Sequence, residues 1–186
     1  LRYIAEGRYV PAAWLIVLGA ALDNMDGRIA RLIGRDSAFG IEFDSLADVC
    51  TFGVVPAFML YHSLFNSAWG ATLAFVFLLG GAFRLARYNV MSHEGRKSDY
   101  FTGLPIPAAA IALSQFIVFT EHAWETAHAA QLGVMVTMFL TALMVSRVEY
   151  DSMPSFRSGG LWDRFKQAFF IGSVALIVHP ATSKDF

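Results

Sequence analysis

The sequence predicts an all-α protein, a polytopic helical bundle that lies in a membrane. Of its 186 residues, 56% are hydrophobic and only 16% are charged, well below the roughly 25% charged residues of soluble domains. The apolar residues form continuous runs rather than the alternating pattern of barrel strands. A helix needs roughly 20 mostly apolar residues to cross a bilayer. Six stretches reach or approach this length, namely residues 10–29, 43–64, 71–85, 106–119, 129–145 and 165–179.

The six stretches predict one transmembrane catalytic domain over residues 1–186, with shorter helices tilted or the bilayer thinned around them. Gly80 and Gly81, inside the third stretch, indicate close helix packing. Pro105 and Pro107 stand where the fourth helix begins, a position that tolerates proline. Residues 150–164 mix aromatic with basic side chains, which is typical of a segment lying on a membrane surface. An ordinary loop is an equally good interpretation of that segment.

The basic residues predict how the bundle is oriented. Eleven of the 14 Lys and Arg residues lie near the ends of the first, third and fifth stretches or between them and the next stretch's first turn: Arg28, Arg31, Arg35, Arg84, Arg87, Arg96, Lys97, Arg147, Arg157, Arg164 and Lys166. The opposite loops, residues 62–70 and 121–128, contain none, and the remaining three are Arg2, Arg8 and Lys184. Because basic loops stay in the cytoplasm, the ends of the helices near these eleven residues are expected to face it.

Charge and cysteine content exclude several other classes of function. The formal net charge is −1, so there is no basic field to attract nucleic acid. The single cysteine, Cys50, cannot form an internal disulfide, and no Cys/His cluster indicates zinc.

Four aspartates at the cytoplasmic ends of the first two stretches predict a metal site. Asp23 and Asp26 close the first stretch, and Asp44 and Asp48 open the second. Each pair shares a helical face at i,i+3 or i,i+4 spacing. Carboxylates are costly near a membrane, and four of them close together need a counter-charge. Hard oxygen ligands suit Mg²⁺ or Mn²⁺.

Glycines and an arginine around these aspartates indicate a nucleotide site. Gly27 follows Asp26, and Gly40 lies one turn before Asp44. Glycine lets a flat ligand approach the backbone, and Arg31, one turn after Gly27, offers a guanidinium that matches phosphate oxygens. Metal ions, an arginine and open space together describe a site for a nucleotide diphosphate.

The spacing of these residues resembles the signature of the CDP-alcohol phosphotransferase family. The matching positions are Asp23, Asp26, Gly27, Ala30, Arg31, Gly40, Asp44 and Asp48. The resemblance implies a six-helix membrane core, with motif helices over about residues 10–31 and 40–64 and the family's first helix largely missing from this sequence. It also implies that the four aspartates bind two divalent cations and that Asp48 is the general base. In the same way it places CDP against Gly27, Ala30, Arg31 and Gly40.

Further segments are similar to the phosphatidylserine synthase branch of that family. They are residues 44–53, 83–90 and 101–110, and the resemblance covers about residues 12–152. It implies transfer of the phosphatidyl group of CDP-diacylglycerol to L-serine, which gives phosphatidylserine and CMP. It further implies a homodimer among membrane lipids, in the plasma membrane of a prokaryote. Glycerol 3-phosphate, inositol phosphate and choline are the alternative acceptors, and a cation transporter is the alternative outside enzymes.

The acceptor site is expected at the cytoplasmic end of the third stretch. Serine carries a carboxylate, for which Arg84 and Arg87 are the candidate partners, and Asn89 offers a further hydrogen bond. The other interpretation is that both arginines extend to lipid headgroups or merely mark the cytoplasmic side.

Overall fold

The architecture is a bundle of helices joined by one small pair of strands. A computed structural model describes the backbone of residues 1–33, 38–93, 100–123 and 126–151, and the side chains of residues 1–25, 39–40, 42–91, 103–121 and 128–148. The α-helices are α1 (Arg2–Ala5), α2 (Tyr9–Ile33), α3 (Ala38–Asp48), α4 (Val55–Leu64), α5 (Ala68–His93), α6 (Ile106–Ala123) and α7 (Thr126–Val145). The strands are β1 (Tyr100–Thr102) and β2 (Glu149–Asp151).

Helices occupy each of the first five predicted stretches. Within the described residues, three helical segments are long and apolar enough to cross a membrane: Glu42–Leu64, Ala68–Met91 and His128–Val145. Two shorter apolar helical segments, Tyr9–Met25 and Ile106–Glu121, accompany them. The prediction of an all-α integral membrane bundle is therefore confirmed. The sixth stretch, residues 165–179, lies outside the described residues.

A π-helical segment, Val49–Val54, joins α3 to α4 without a break. Its cause is readable in the sequence, because Pro56 stands in the first turn of α4. Proline lacks an N–H and crowds the carbonyl four residues earlier, and a local π turn accommodates both effects within a membrane helix. The segment begins immediately after Asp48, so it fixes the direction in which α3 and its aspartates leave the bundle.

Small residues let the helices approach one another closely. α5 packs against α7, and α2 packs against α6. A Cβ atom at Gly80 would lie 2.6 Å from Thr141 Cγ2, and one at Gly81 would collide with Ile106 Cδ1. The predicted close packing at these two glycines is confirmed, and it holds α5 against both α6 and α7.

The two strands were not predicted from the sequence. β1 and β2 pair antiparallel, with Phe101 opposite Tyr150. The following turn uses Gly103, whose φ of +78° suits glycine, and whose N–H donates to Val148 O at 2.8 Å. This pairing joins the chain before α6 to the chain after α7. Residues 150 and 151 of the predicted surface segment belong to β2, and the rest of that segment lies outside the described residues.

Candidate functional site

Three of the predicted metal ligands meet where α2 approaches α3. Asp23 and Asp48 are half-buried, and Asp44 is exposed. Asp48 makes a side-chain hydrogen bond with Asp23 and is repelled electrostatically by both Asp23 and Asp44. The carboxylates of Asp23 and Asp48 therefore make contact between the two helices, with Asp44 near enough to act on Asp48, and the role of the three as metal ligands stays a prediction.

The other residues of the signature lie on the same two helices, α2 and α3. Asp26, Gly27, Ala30 and Arg31 belong to the last turns of α2, and their side chains lie outside the described ones. Gly40 is exposed on α3, one turn before Asp44. The roles expected for Gly27, Ala30, Arg31 and Gly40 at a CDP site, and for Asp26 as a metal ligand, stay predictions.

The carboxylates fit a hard divalent cation by their chemistry. Two carboxyl groups in hydrogen-bonding contact need a proton or a cation between them, because like charges that close cannot both stay ionised unaided. Among the described side chains, no group of three or more His, Cys, Asp and Glu is close enough to hold a metal ion as it stands. Asp26, the fourth expected ligand, is not among those side chains. The donor set is thus oxygen-only, of the kind that Mg²⁺ and Mn²⁺ prefer.

Among the described basic side chains, Arg84 is the one that the electrostatics of Asp48 single out. It lies on α5, is only 6% exposed, and interacts attractively with Asp48. Its Nε atom is buried and has no hydrogen-bond partner among the described residues. A buried N–H without a partner is costly, so Arg84 offers an unused donor beside the aspartates. Such a donor suits an anionic oxygen of a ligand.

Arg87, one turn further along α5, is bonded to the end of α7. Its Nη1 donates to Val145 O and its Nη2 donates to Ser146 O, both at 2.9 Å. Val145 is the last residue of α7 and Ser146 follows it. Carbonyl groups at the end of a helix have no hydrogen-bond partner within that helix. The two arginines that the sequence placed in one acceptor site therefore have different surroundings.

Asn89 connects α5 to α3 beside the aspartates. Its Nδ2 donates to Ser45 Oγ at 3.0 Å and lies 3.3 Å from Glu42 Oε2, and Ser45 Oγ lies 3.4 Å from Asn89 Oδ1. Ser45 immediately follows Asp44 in α3. Sequence reasoning did not single out Ser45 or Glu42, although their i,i+3 spacing does place them on one helical face. Asp48 follows Ser45 by three residues, so the face of α3 that contacts α5 adjoins the side chains of Asp44 and Asp48.

The fold and the site together define a helical membrane protein with a carboxylate cluster between two adjacent helices and a buried arginine beside it. The chain belongs to the CDP-alcohol phosphatidyltransferase family, whose model matches residues 1–148.

Several curated relatives share a name that specifies an acceptor. A CDP-diacylglycerol–serine O-phosphatidyltransferase of Helicobacter pylori is 37% identical over 153 residues, which cover 81% of this chain and 64% of that protein. One of the same name from Methanocaldococcus jannaschii is 36% identical over 141 residues, covering 76% and 64%. An archaetidylserine synthase of Methanothermobacter thermautotrophicus is 34% identical over 148 residues, covering 78% and 60%. The chain thus spans just under two thirds of the length of these relatives.

Proposed function

We propose that this protein transfers the phosphatidyl group of CDP-diacylglycerol to L-serine, releasing CMP. The observation that carries the proposal is the contact between Asp23 and Asp48, with Asp44 and the buried Arg84 acting electrostatically on Asp48, on a chain of this family. The names of the curated relatives support serine as the acceptor. An integral membrane bundle is the setting that such a lipid donor needs, because its acyl chains can remain in the bilayer.

The proposed reaction is a single exchange at phosphorus. The serine hydroxyl gives its proton to Asp48, acting as general base, while the serine oxygen forms a bond to the phosphatidyl phosphorus. The bond from that phosphorus to the oxygen of CMP breaks, and CMP leaves with the electron pair. Asp23, Asp26, Asp44 and Asp48 would hold two divalent cations, Mg²⁺ or Mn²⁺, which would supply charge neutralisation at the phosphates.

Binding of the two substrates is assigned to different residues. Gly27, Ala30, Arg31 and Gly40 are proposed to contact CDP. Arg84 is proposed to contact the carboxylate of serine through its unpartnered Nε. Arg87 and Asn89 are proposed to support this site, because their polar atoms already bond to α7 and α3.

The setting of the reaction follows from the basic loops. We propose that the site faces the cytoplasm of a prokaryotic cell, since eleven of the 14 Lys and Arg residues lie at that end of the sequence's apolar stretches. A homodimer is also proposed, on the strength of the family resemblance alone.

The deciding experiment measures CMP release by the purified protein in lipid nanodiscs. CDP-diacylglycerol and Mn²⁺ or Mg²⁺ are supplied with serine, glycerol 3-phosphate, inositol phosphate or choline in separate reactions. Release with serine alone, abolished by EDTA and restored by added metal ion, is the expected result. Release with a different acceptor would keep the reaction class and overturn serine, and no release with any acceptor would overturn the proposed activity.

The acceptor contact is tested by Arg84→Gln, which keeps a polar side chain and removes the charge. We expect the KM for serine to rise at least tenfold while the KM for CDP-diacylglycerol changes little, since about 1.4 kcal/mol corresponds to a factor of ten and a charged hydrogen bond is worth about 1.5–3 kcal/mol. Arg147→Gln is the matched control, because Arg147 is exposed beyond the end of α7. An unchanged KM for serine in the Arg84 variant would remove Arg84 from the acceptor site.

A further inference from the structure

Gly19 lies at a close approach between α2 and the π-helical segment. A Cβ atom at this position would lie 3.3 Å from Thr51 Cγ2 and 3.9 and 4.0 Å from Cε1 and Cζ of Phe52. Phe52 is only 1% exposed, so its ring is enclosed and has little room to retreat. The spacing of the two helical segments here is therefore set by the absence of a side chain at Gly19.

The aspartates of the site are close to this contact in sequence, since α2 carries Asp23 and Asp48 immediately precedes the π-helical segment. Asp23 follows Gly19 by four residues, and Thr51 follows Asp48 by three. At about 1.5 Å per residue, three or four residues correspond to only about 4.5–6 Å along a helix axis. A change in spacing at Gly19 is therefore transmitted, one turn further on, to the separation of the Asp23 and Asp48 side chains.

We infer that Gly19 is a positioning residue, which sets the distance between the carboxylates of Asp23 and Asp48. The inference deepens the proposed function, because its importance depends on those carboxylates holding a metal ion. Metal–ligand distances tolerate errors of only about 0.2 Å. A Cβ–methyl separation of 3.3 Å requires the Thr51 methyl group to give by a few tenths of an ångström. A change of that size in the spacing of the two helical segments would exceed this tolerance.

The first measurement is Mn²⁺ binding by the full chain in nanodiscs. Electron paramagnetic resonance detects the bound ion, and no substrate is present. Gly19→Ala is expected to weaken binding about tenfold, the lower end of the 10–100-fold range seen when groups that orient metal ligands are altered. Alanine favours a helix by about 1 kcal/mol over glycine, so loss of helical structure in α2 cannot be the reason. Thr51→Ser removes the Cγ2 methyl group, and in the double variant it is expected to restore most of the lost affinity.

Gly133→Ala is the matched control. Its Cβ would lie 2.9 Å from Leu64 Cδ1 and 3.3 Å from the ring of Phe65, a contact at least as tight as that at Gly19. Leu64 ends α4, about 24 Å along the helical path from Asp48 at 1.5 Å per residue. We expect this variant to bind Mn²⁺ as the wild type does.

A second measurement tests the spacing without any metal ion. Asp23→Cys and Asp48→Cys are combined with Cys50→Ala, and the pair is cross-linked with a short bis-methanethiosulfonate reagent. Gly19→Leu, which adds a larger side chain, is expected to slow cross-linking at least severalfold, whereas Gly133→Leu should not. Equal rates would overturn the inference, as would Mn²⁺ binding by Gly19→Ala equal to that of a binding-competent wild type. Failure of the wild type to bind Mn²⁺, with cross-linking slowed as expected, would instead count against the metal ions of the proposed function.

Discussion

Arg87 is expected to stabilise the fold rather than bind serine, and this expectation can be tested sharply. The proposed change is Arg87→Ala, which removes the hydrogen bonds from Nη1 to Val145 O and from Nη2 to Ser146 O, both 2.9 Å long. A guanidinium at this place also interacts favourably with the negative end of the α7 dipole. The arginine thereby ties α5 to the C-terminal end of α7.

The magnitude follows from the environment of each bond. A hydrogen bond to a charged group is worth about 1.5–3 kcal/mol, but the bond to Val145 O is exposed, so its carbonyl can bond to water instead. The partly buried bond to Ser146 O therefore contributes most of the effect. We expect a loss of about 2 kcal/mol of stability, which corresponds to a fall of roughly 4–8 °C in the melting midpoint for a chain of this size.

The assay compares thermal melting with the kinetic constants for serine. Arg87→Ala should lower the melting midpoint and leave the KM for serine within about twofold, a change of about 0.4 kcal/mol in binding. Arg87→Lys keeps the charge but loses the two-pronged geometry, so it should recover only part of the stability. A tenfold rise in the KM for serine with an unchanged melting midpoint would refute this reasoning and return Arg87 to the acceptor site.

Three further predictions concern the carboxylates, the α3–α5 contact and the strand turn. Asp48→Asn should abolish CMP release while leaving the melting midpoint within a few degrees of that of the wild type. Near-normal turnover would contradict the role of Asp48 as general base. Asn89→Ala should cost about 1–2 kcal/mol of stability through its lost contact with Ser45, measured by thermal melting against Glu6→Gln as an exposed control. Gly103→Ala should destabilise by about 1–3 kcal/mol, since φ is +78° and the new Cβ would lie 2.5 Å from Met144 O; unchanged melting would contradict that.

Local sequence patterns were sufficient to predict the helices and the carboxylate pairs. Apolar runs identify membrane helices because a bilayer admits few other ways of satisfying the backbone. The i,i+4 spacing of Asp44 and Asp48 places both on one face of α3 whatever the rest of the fold does. Their meeting with Asp23 needed a further assumption, that α2 and α3 are neighbours, which the packing of α2 against the π-helical segment bears out.

Contacts between distant parts of the chain could not be predicted in this way. β1 and β2 are three residues each and lie about 50 residues apart in sequence, so nothing local signals that they pair. Arg87 bonds to carbonyls 58 and 59 residues away, and its sequence neighbourhood is equally typical of a ligand site. The sequence contains one indication of the π-helical segment, Pro56 within an apolar run. Proline is equally compatible with a simple helix kink, so Pro56 alone does not predict a π-helix.

The polar end of α5 explains why these unpredicted contacts bear on the site. At about 100° per residue, Arg87 and Asn89 point about 160° apart around the helix, and they bond to α7 and α3 on nearly opposite sides. Arg84 lies about 60° from the direction of Arg87 and is enclosed, with attraction to Asp48. Of the two contacts, the one with α3 lies beside the aspartates, because Ser45 immediately follows Asp44. Because the aspartates are carried by α2 and α3, losing the Asn89 contact with α3 should disturb the site, whereas losing the Arg87 bonds to α7 should lower stability and leave the KM for serine nearly unchanged.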